Sequence, residues 1–140
     1  MTNLNKLNIL NFNSFNGTIF DIELTYEIFG LPIGDAPIVL VNHALTGNST
    51  LVGENGWWNP IIGKEKLIDT EKYSVLAFNF PGNGYDGVLI ENYKDLILRD
   101  RRTIVCGCLL NMDSSAQYAR ARVMGVRITK WMKGGSWCER

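Results

Sequence analysis

The chain has one histidine and three cysteines in all, and no arginine among its first 98 residues. Each scarcity removes a class of chemistry. His43 alone, beside an odd number of cysteines, leaves too few soft ligands for a zinc or iron site, and Cys106-Gly107-Cys108 is too tight for an ordinary Cys-x-x-Cys redox or metal pair. No metal is expected. No basic N-terminal segment leads into an apolar core, and no apolar run approaches the roughly 18 residues that would span a bilayer. Neither a leader nor a membrane contact is therefore expected, and the expected location is cytoplasmic. The sequence also lacks a Gly-x-Ser-x-Gly nucleophile elbow, a three-glycine dinucleotide fingerprint, a Gly-Lys-Ser/Thr phosphate loop, an internal repeat and a heptad.

What remains is the material of one ordinary domain. Its 140 residues are 46% apolar and 11% aromatic, enough to bury a core without disulfides and too apolar for a disordered chain. The 14 basic residues balance the 14 acidic ones only as a sum. Residues 1–98 hold five lysines and eleven acids, a net −6, whereas residues 99–140 hold seven arginines, two lysines and three acids, a net +6. Thirteen of fourteen asparagines precede residue 98, and all three cysteines follow it. Two compositions share the chain. They suggest a division into 1–100 and a basic tail, 101–140, with no nucleic-acid partner expected because the tail has no definable stacking platform.

Leu7 to Phe12 and Ile19 to Phe29 alternate apolar and polar residues, the period of strands with one wet face, and Asn16-Gly17 between them predicts a hairpin turn. Ile38-Val39-Leu40-Val41 is a short continuous run of the kind buried on both faces of a parallel sheet. Residues 42–63 are too long and glycine-rich for a routine connection and read as a functional or packed loop. Tyr73 to Phe80 predicts a second central strand, followed by a glycine loop through Gly87, and the spacing of Tyr93, Leu96 and Ile97 predicts a helix starting near residue 91. Thr103 to Leu110 is compatible with a buried strand or a helix. An antiparallel entry followed by buried strands gives an α/β fold with a mixed sheet.

His43 follows the run Ile38 to Val41 at a strand's carboxyl end, where α/β proteins place their ligands. It reads either as a functional group or as a structural histidine bonding a loop carbonyl. Six serines could be combined with it into a Ser-His-Asp set on paper, which composition alone makes uninformative. Gly134-Gly135-Ser136 begins like an elbow, but Trp137 and Cys138 stand where small residues are needed. Gly82-Asn83-Gly84 reads as a tight turn.

Several segments together are more specific. Tyr26 to Gly30, His43-Ala44-Leu45-Thr46-Gly47, Trp57-Trp58 with Ile62-Gly63-Lys64, Asp69 to Tyr73, Asn79, Gly82-Asn83-Gly84 and Arg99-Asp100 follow the order and approximate spacing of the homoserine O-acetyltransferases. Over residues 17–100 the chain thus resembles the N-terminal part of this α/β-hydrolase family. The resemblance implies a ping-pong acyl transfer from acetyl-CoA to a serine and then to homoserine, in methionine biosynthesis. Residues 43–47 would form the loop whose amide holds the oxyanion, with the N–H of Leu45 as donor and His43 as a loop residue, not the base. Ala44, Thr46 and Gly47 complete that loop. The resemblance implies no bound cofactor, acetyl-CoA as a substrate, and a homodimer in the complete family; the acyl group, acetyl or succinyl, stays open. The family's Gly-Gly-Ser-x-Gly-Gly elbow would fall near residues 122–124, where the chain reads Arg122-Val123-Met124, and its aspartate and histidine come later still in a chain more than twice as long, so the resemblance implies that all three triad members are absent here. Residues 101–140 therefore read as out-of-frame or acquired sequence, and the 140-residue polypeptide is expected to be inactive. Another esterase or acyltransferase of the superfamily, or a non-enzymatic module built on the basic tail, are the alternatives.

Overall fold

A computed structural model describes residues 4–44 and 47–112. Strands β1 (Asn5–Asn13) and β2 (Ile19–Gly30) pair antiparallel as their alternation predicts, and Gly17 turns between them at φ +81°, a conformation open to glycine at little cost. The hairpin is not regular. Its register shifts between Ile9 and Phe12, where Asn11 takes φ 54° and donates its N–H to the Asp21 carboxylate. Strand β3 (Ile38–Val41) follows, then two-residue strands β4 (Ile62–Gly63) and β5 (Ile68–Asp69), then β6 (Ser74–Phe78). The main sheet runs β1-β2-β6-β3, with β2 antiparallel and β3 parallel to β6; β4 and β5 form a separate parallel pair.

The period of two divides each central strand between two cores. Ile38 and Leu40 of β3 join Leu76 and Phe78 of β6 and Ile22 and Leu24 of β2 on one face. Val41, Val75 and Ala77 lie on the other with Leu51, Ile62 and Ile68. The first face is covered by helix α1 (Leu98–Met112), which contributes Ile104, Val105 and Cys108; the second is covered by the segment carrying Leu51, β4 and β5. Burial pushes the Cys108 thiol up to about 12, so it behaves as a small apolar group.

The helix expected near residue 91 begins later. Ile90–Tyr93 form a single 3₁₀ turn whose cap residue, Leu89, has no side-chain acceptor to offer. Asp100 supplies one instead. Its carboxylate accepts the Ile97 N–H at 3.0 Å, half of a capping box, and the Phe15 N–H at 2.8 Å, so one buried side chain starts α1 and fixes the β1–β2 turn. Arg99 lies over the Phe15 ring at 4.7 Å. The segment Thr103 to Leu110, open to either reading in sequence, is helical throughout. The compositional boundary at residue 100 falls inside α1.

Candidate functional site

The carboxyl ends of the parallel strands β3 and β6 meet the antiparallel β2 near Thr25, because Tyr26 is paired with Phe78. Asn79, next along, donates its main-chain N–H to the Thr25 carbonyl at 2.9 Å. Here the second face of the sheet is polar and yet closed to water: Thr25, Glu27, Ser49, Thr50 and Asn79 are all buried. The reading of β2 as a strand with one wet face fails at Thr25 and Glu27 for that reason. The segment from Asn48 to Leu51 lies over them.

The directions of the hydrogen bonds in this cluster follow from valence alone. The Ser49 N–H can only donate, so the Asn79 Oδ1 that receives it at 2.8 Å must be oxygen, which directs Nδ2 to the hydroxyls of Thr25 and Ser49, each at 3.0 Å. Those hydroxyls, having accepted from the amide, donate onward: Thr25 to Asp86 at 2.9 Å, Ser49 to Glu27 at 2.5 Å. Thr50 also donates to the same Glu27 oxygen, at 2.9 Å, so the Tyr85 hydroxyl at 2.5 Å from Thr50 must be the donor of that pair. The hydroxyl hydrogens thus run from the Asn79 amide and Tyr85 toward two carboxylates, while the Asn79 oxygen receives the Ser49 N–H. Among the described residues no buried side-chain nitrogen or oxygen lacks a partner.

His43 sits beside this cluster, buried at 5% exposure and stacked at a tilt on Phe80, ring centres 4.6 Å apart. Phe80 donates its N–H to His43 Nε2 at 3.3 Å, and Nδ1 lies 2.6 Å from the Ala44 carbonyl. The first contact requires a bare Nε2 and the second a protonated Nδ1, which is the neutral Nδ1–H tautomer. Burial holds the imidazole below its ordinary value, the Ala44 carbonyl acting in the opposite sense. A free catalytic base would need an uncommitted nitrogen, and His43 has none. Gly47 returns against it: the Gly47 N–H bonds the Ala44 carbonyl at 2.9 Å, and a Cβ on Gly47 would come within 2.8 Å of the His43 Cβ. Leu45 and Thr46, read as the donor and its neighbour, lie outside the described residues.

Beyond the loop, Gly82 and Gly84 turn the chain at φ +80° and +79°, with the Asn83 N–H on the Phe80 carbonyl. Asn83 Nδ2 donates to Asn79 Oδ1 at 3.3 Å and Arg101 donates to the Pro81 carbonyl, so the glycine turn is tied to the polar cluster on one side and to α1 on the other. Trp57 donates its indole N–H to the Asn48 carbonyl at 3.0 Å, anchoring the far end of the loop. The roles of Thr25, Glu27, Ser49, Thr50 and Tyr85 were not read from sequence. The available signal was a pair of polar residues, Thr25 and Glu27, on the face of β2 that Phe29 shares with the second core.

No family model matches the chain. It is 42% identical over 77 residues to the homoserine O-acetyltransferase of Haloarcula marismortui, a match covering 49% of this chain and 19% of that protein. The matched stretch thus spans about a fifth of the relative's length. Among solved structures, the homoserine O-acetyltransferase of Staphylococcus aureus superposes with a TM-score of 0.50 at 34% identity, covering 56% of this chain and 24% of that one. Esterase E22 superposes with a TM-score of 0.63 at 24% identity, covering 79% and 37%, a likeness of fold. The described residues have the α/β-hydrolase architecture, and the resemblance of the N-terminal part to homoserine O-acetyltransferases stands.

Proposed function

We propose that the chain is part of a homoserine O-acetyltransferase-like acyltransferase, in which residues 43–47 hold the oxyanion during transfer of an acetyl group from acetyl-CoA to the homoserine hydroxyl. The observation that supports this reading is the seating of the loop. It leaves β3 at the carboxyl end of two parallel strands, and its described ends are braced, His43 by the Phe80 N–H and Ser49 by Asn79 in a closed polar cluster, which suits a loop that must hold an amide still while charge develops. In this reading Leu45 N–H is the donor, Ala44 and Thr46 shape the loop, Gly47 permits its close return on His43, and acetyl-CoA and homoserine are small-molecule substrates, with no resident cofactor. The step belongs to methionine biosynthesis, and the complete protein works as a homodimer.

The base comes from elsewhere. His43 is the sole histidine in the 140 residues, and both its ring nitrogens are committed to main-chain groups. These residues by themselves therefore lack an imidazole general base and are inactive in this reading. Incubation of the 140-residue chain with homoserine and acetyl-CoA should release no CoA above background. A longer product of the same gene that carries a serine elbow and a further histidine should. Transfer by the short chain would overturn the reading, and activity of the long product on simple esters but not homoserine would favour an esterase.

A further inference from the structure

The mechanism leaves one buried carboxylate without a task. Glu27 is 9% exposed, and among the described residues the ion pairs join Lys6 to Glu23, Lys64 to Glu71 and Lys72 to Asp69, so Glu27 is held by hydroxyls and not by a cation. A buried carboxylate supported only by hydroxyls is an expensive device if its purpose is cohesion, since an apolar pair of the same volume would serve as well. Its Oε2 instead gathers two consecutive loop residues, Ser49 at 2.5 Å and Thr50 at 2.9 Å. Through Ser49 it fixes the Asn79 amide, which in turn receives the Ser49 N–H; through Thr50 it fixes Tyr85. These contacts reach 22 and 23 residues along the chain, from the rigid centre of β2 to the return arm of the loop that begins at His43.

We propose that Glu27 is a positioning residue: its carboxylate clamps Ser49 and Thr50 onto β2 and so sets the geometry of the return arm, residues 47–50. Its value to acyl transfer rests on the oxyanion-loop reading above, but the clamp itself does not, and it is tested without any assay of activity. Amide hydrogen exchange is measured on the full 140-residue chain, comparing the Ser49 and Gly47 amides with those of β2 and β6. In Glu27→Leu, and in Thr50→Val, which keeps the carboxylate and removes one hydroxyl of nearly the same shape, Ser49 should lose protection by about tenfold or more, the loss of a hydrogen bond. The amides of Leu76 and Phe78 should change less than about threefold. Glu27→Gln retains an acceptor oxygen and should keep most of the Ser49 protection. Unchanged exchange at Ser49 in Thr50→Val and Glu27→Leu would overturn the proposal. A uniform loss across β2, β6 and the loop in both variants, which a merely structural role produces, would also overturn it, and if Glu27→Leu fails to fold, Thr50→Val decides. Failure of the acyl-transfer reading would leave these exchange patterns untouched.

Discussion

Gly30 and Gly17 show how differently two glycines of positive φ are used. Gly30 stands at φ +88°, and a Cβ there would lie 2.5 Å from the Tyr73 carbonyl oxygen and 2.6 Å from that of Thr70, both main chain and unable to swing aside. Gly17 stands at φ +81° in open space. Gly17→Ala should therefore cost about 1 kcal/mol, the torsional term alone, and Gly30→Ala about 2–3 kcal/mol, measured as the shift in urea midpoint. Equal losses would contradict the packing of β2's end. Titration adds a second residue-scale test. Folded His43 sits below its ordinary 6.5, so the unfolded chain takes up that proton first; stability is complete above about pH 6.5 and falls as pH drops past it. Asp69 is shifted in the same direction, in a more acid range. Its carboxyl is held below the usual 3.8 by the Glu71 N–H and by Lys72, so its contribution persists until the pH falls below 3.8. Denaturation midpoints should start to drop as the pH falls through about 6.5 in the parent, and His43→Gln should flatten that decline while leaving the loss below pH 3.8.

At the scale of elements, α1 depends on a side chain that also belongs to the hairpin. Asp100→Ala removes the acceptor for both Ile97 and Phe15 N–H groups, and should cost about 1–3 kcal/mol with loss of helical signal, whereas Phe15→Ala, deleting an exposed partner of Arg99, should cost about 0.5 kcal/mol. A smaller loss for Asp100→Ala than for Phe15→Ala would mean that α1 starts by other means. The strands were legible because their signals are local. Period-two alternation marks β1 and β2, and a short apolar run marks β3. The start of α1 was not, since it is decided by Asp100 bonding a residue 85 positions away as well as one three positions away. Nor were β4 and β5, two residues each, long enough to leave a pattern. The loop's location at a strand end could be read from Ile38 to Val41, but not its bracing. Glu27, Ser49 and Asn79 are joined across 22 to 30 residues, and only the pairing of β2 with β6 brings them together.

For the whole molecule, the sheet is a partition between an apolar face closed by α1 and a face that changes from apolar at Val75 to polar at Asn79. That change is what turns a packed layer into a platform. It leaves the protein with two faces of unlike purpose: Leu76, Phe78, Ile104 and Val105 hold the domain together, while Asn79, Ser49 and His43 hold the loop still. Among the described residues no helix is long and apolar enough to cross a membrane. The central claim is that His43 is a neutral, doubly anchored part of that platform and not a base. Nitrogen-15 NMR of the imidazole tests it most directly, because the chain has one histidine and its signals need no assignment. At pH 7 the account predicts a bare Nε2, a protonated Nδ1 and a midpoint below 6.5. An Nε2–H tautomer, or an imidazole titrating freely at its ordinary value, would contradict it.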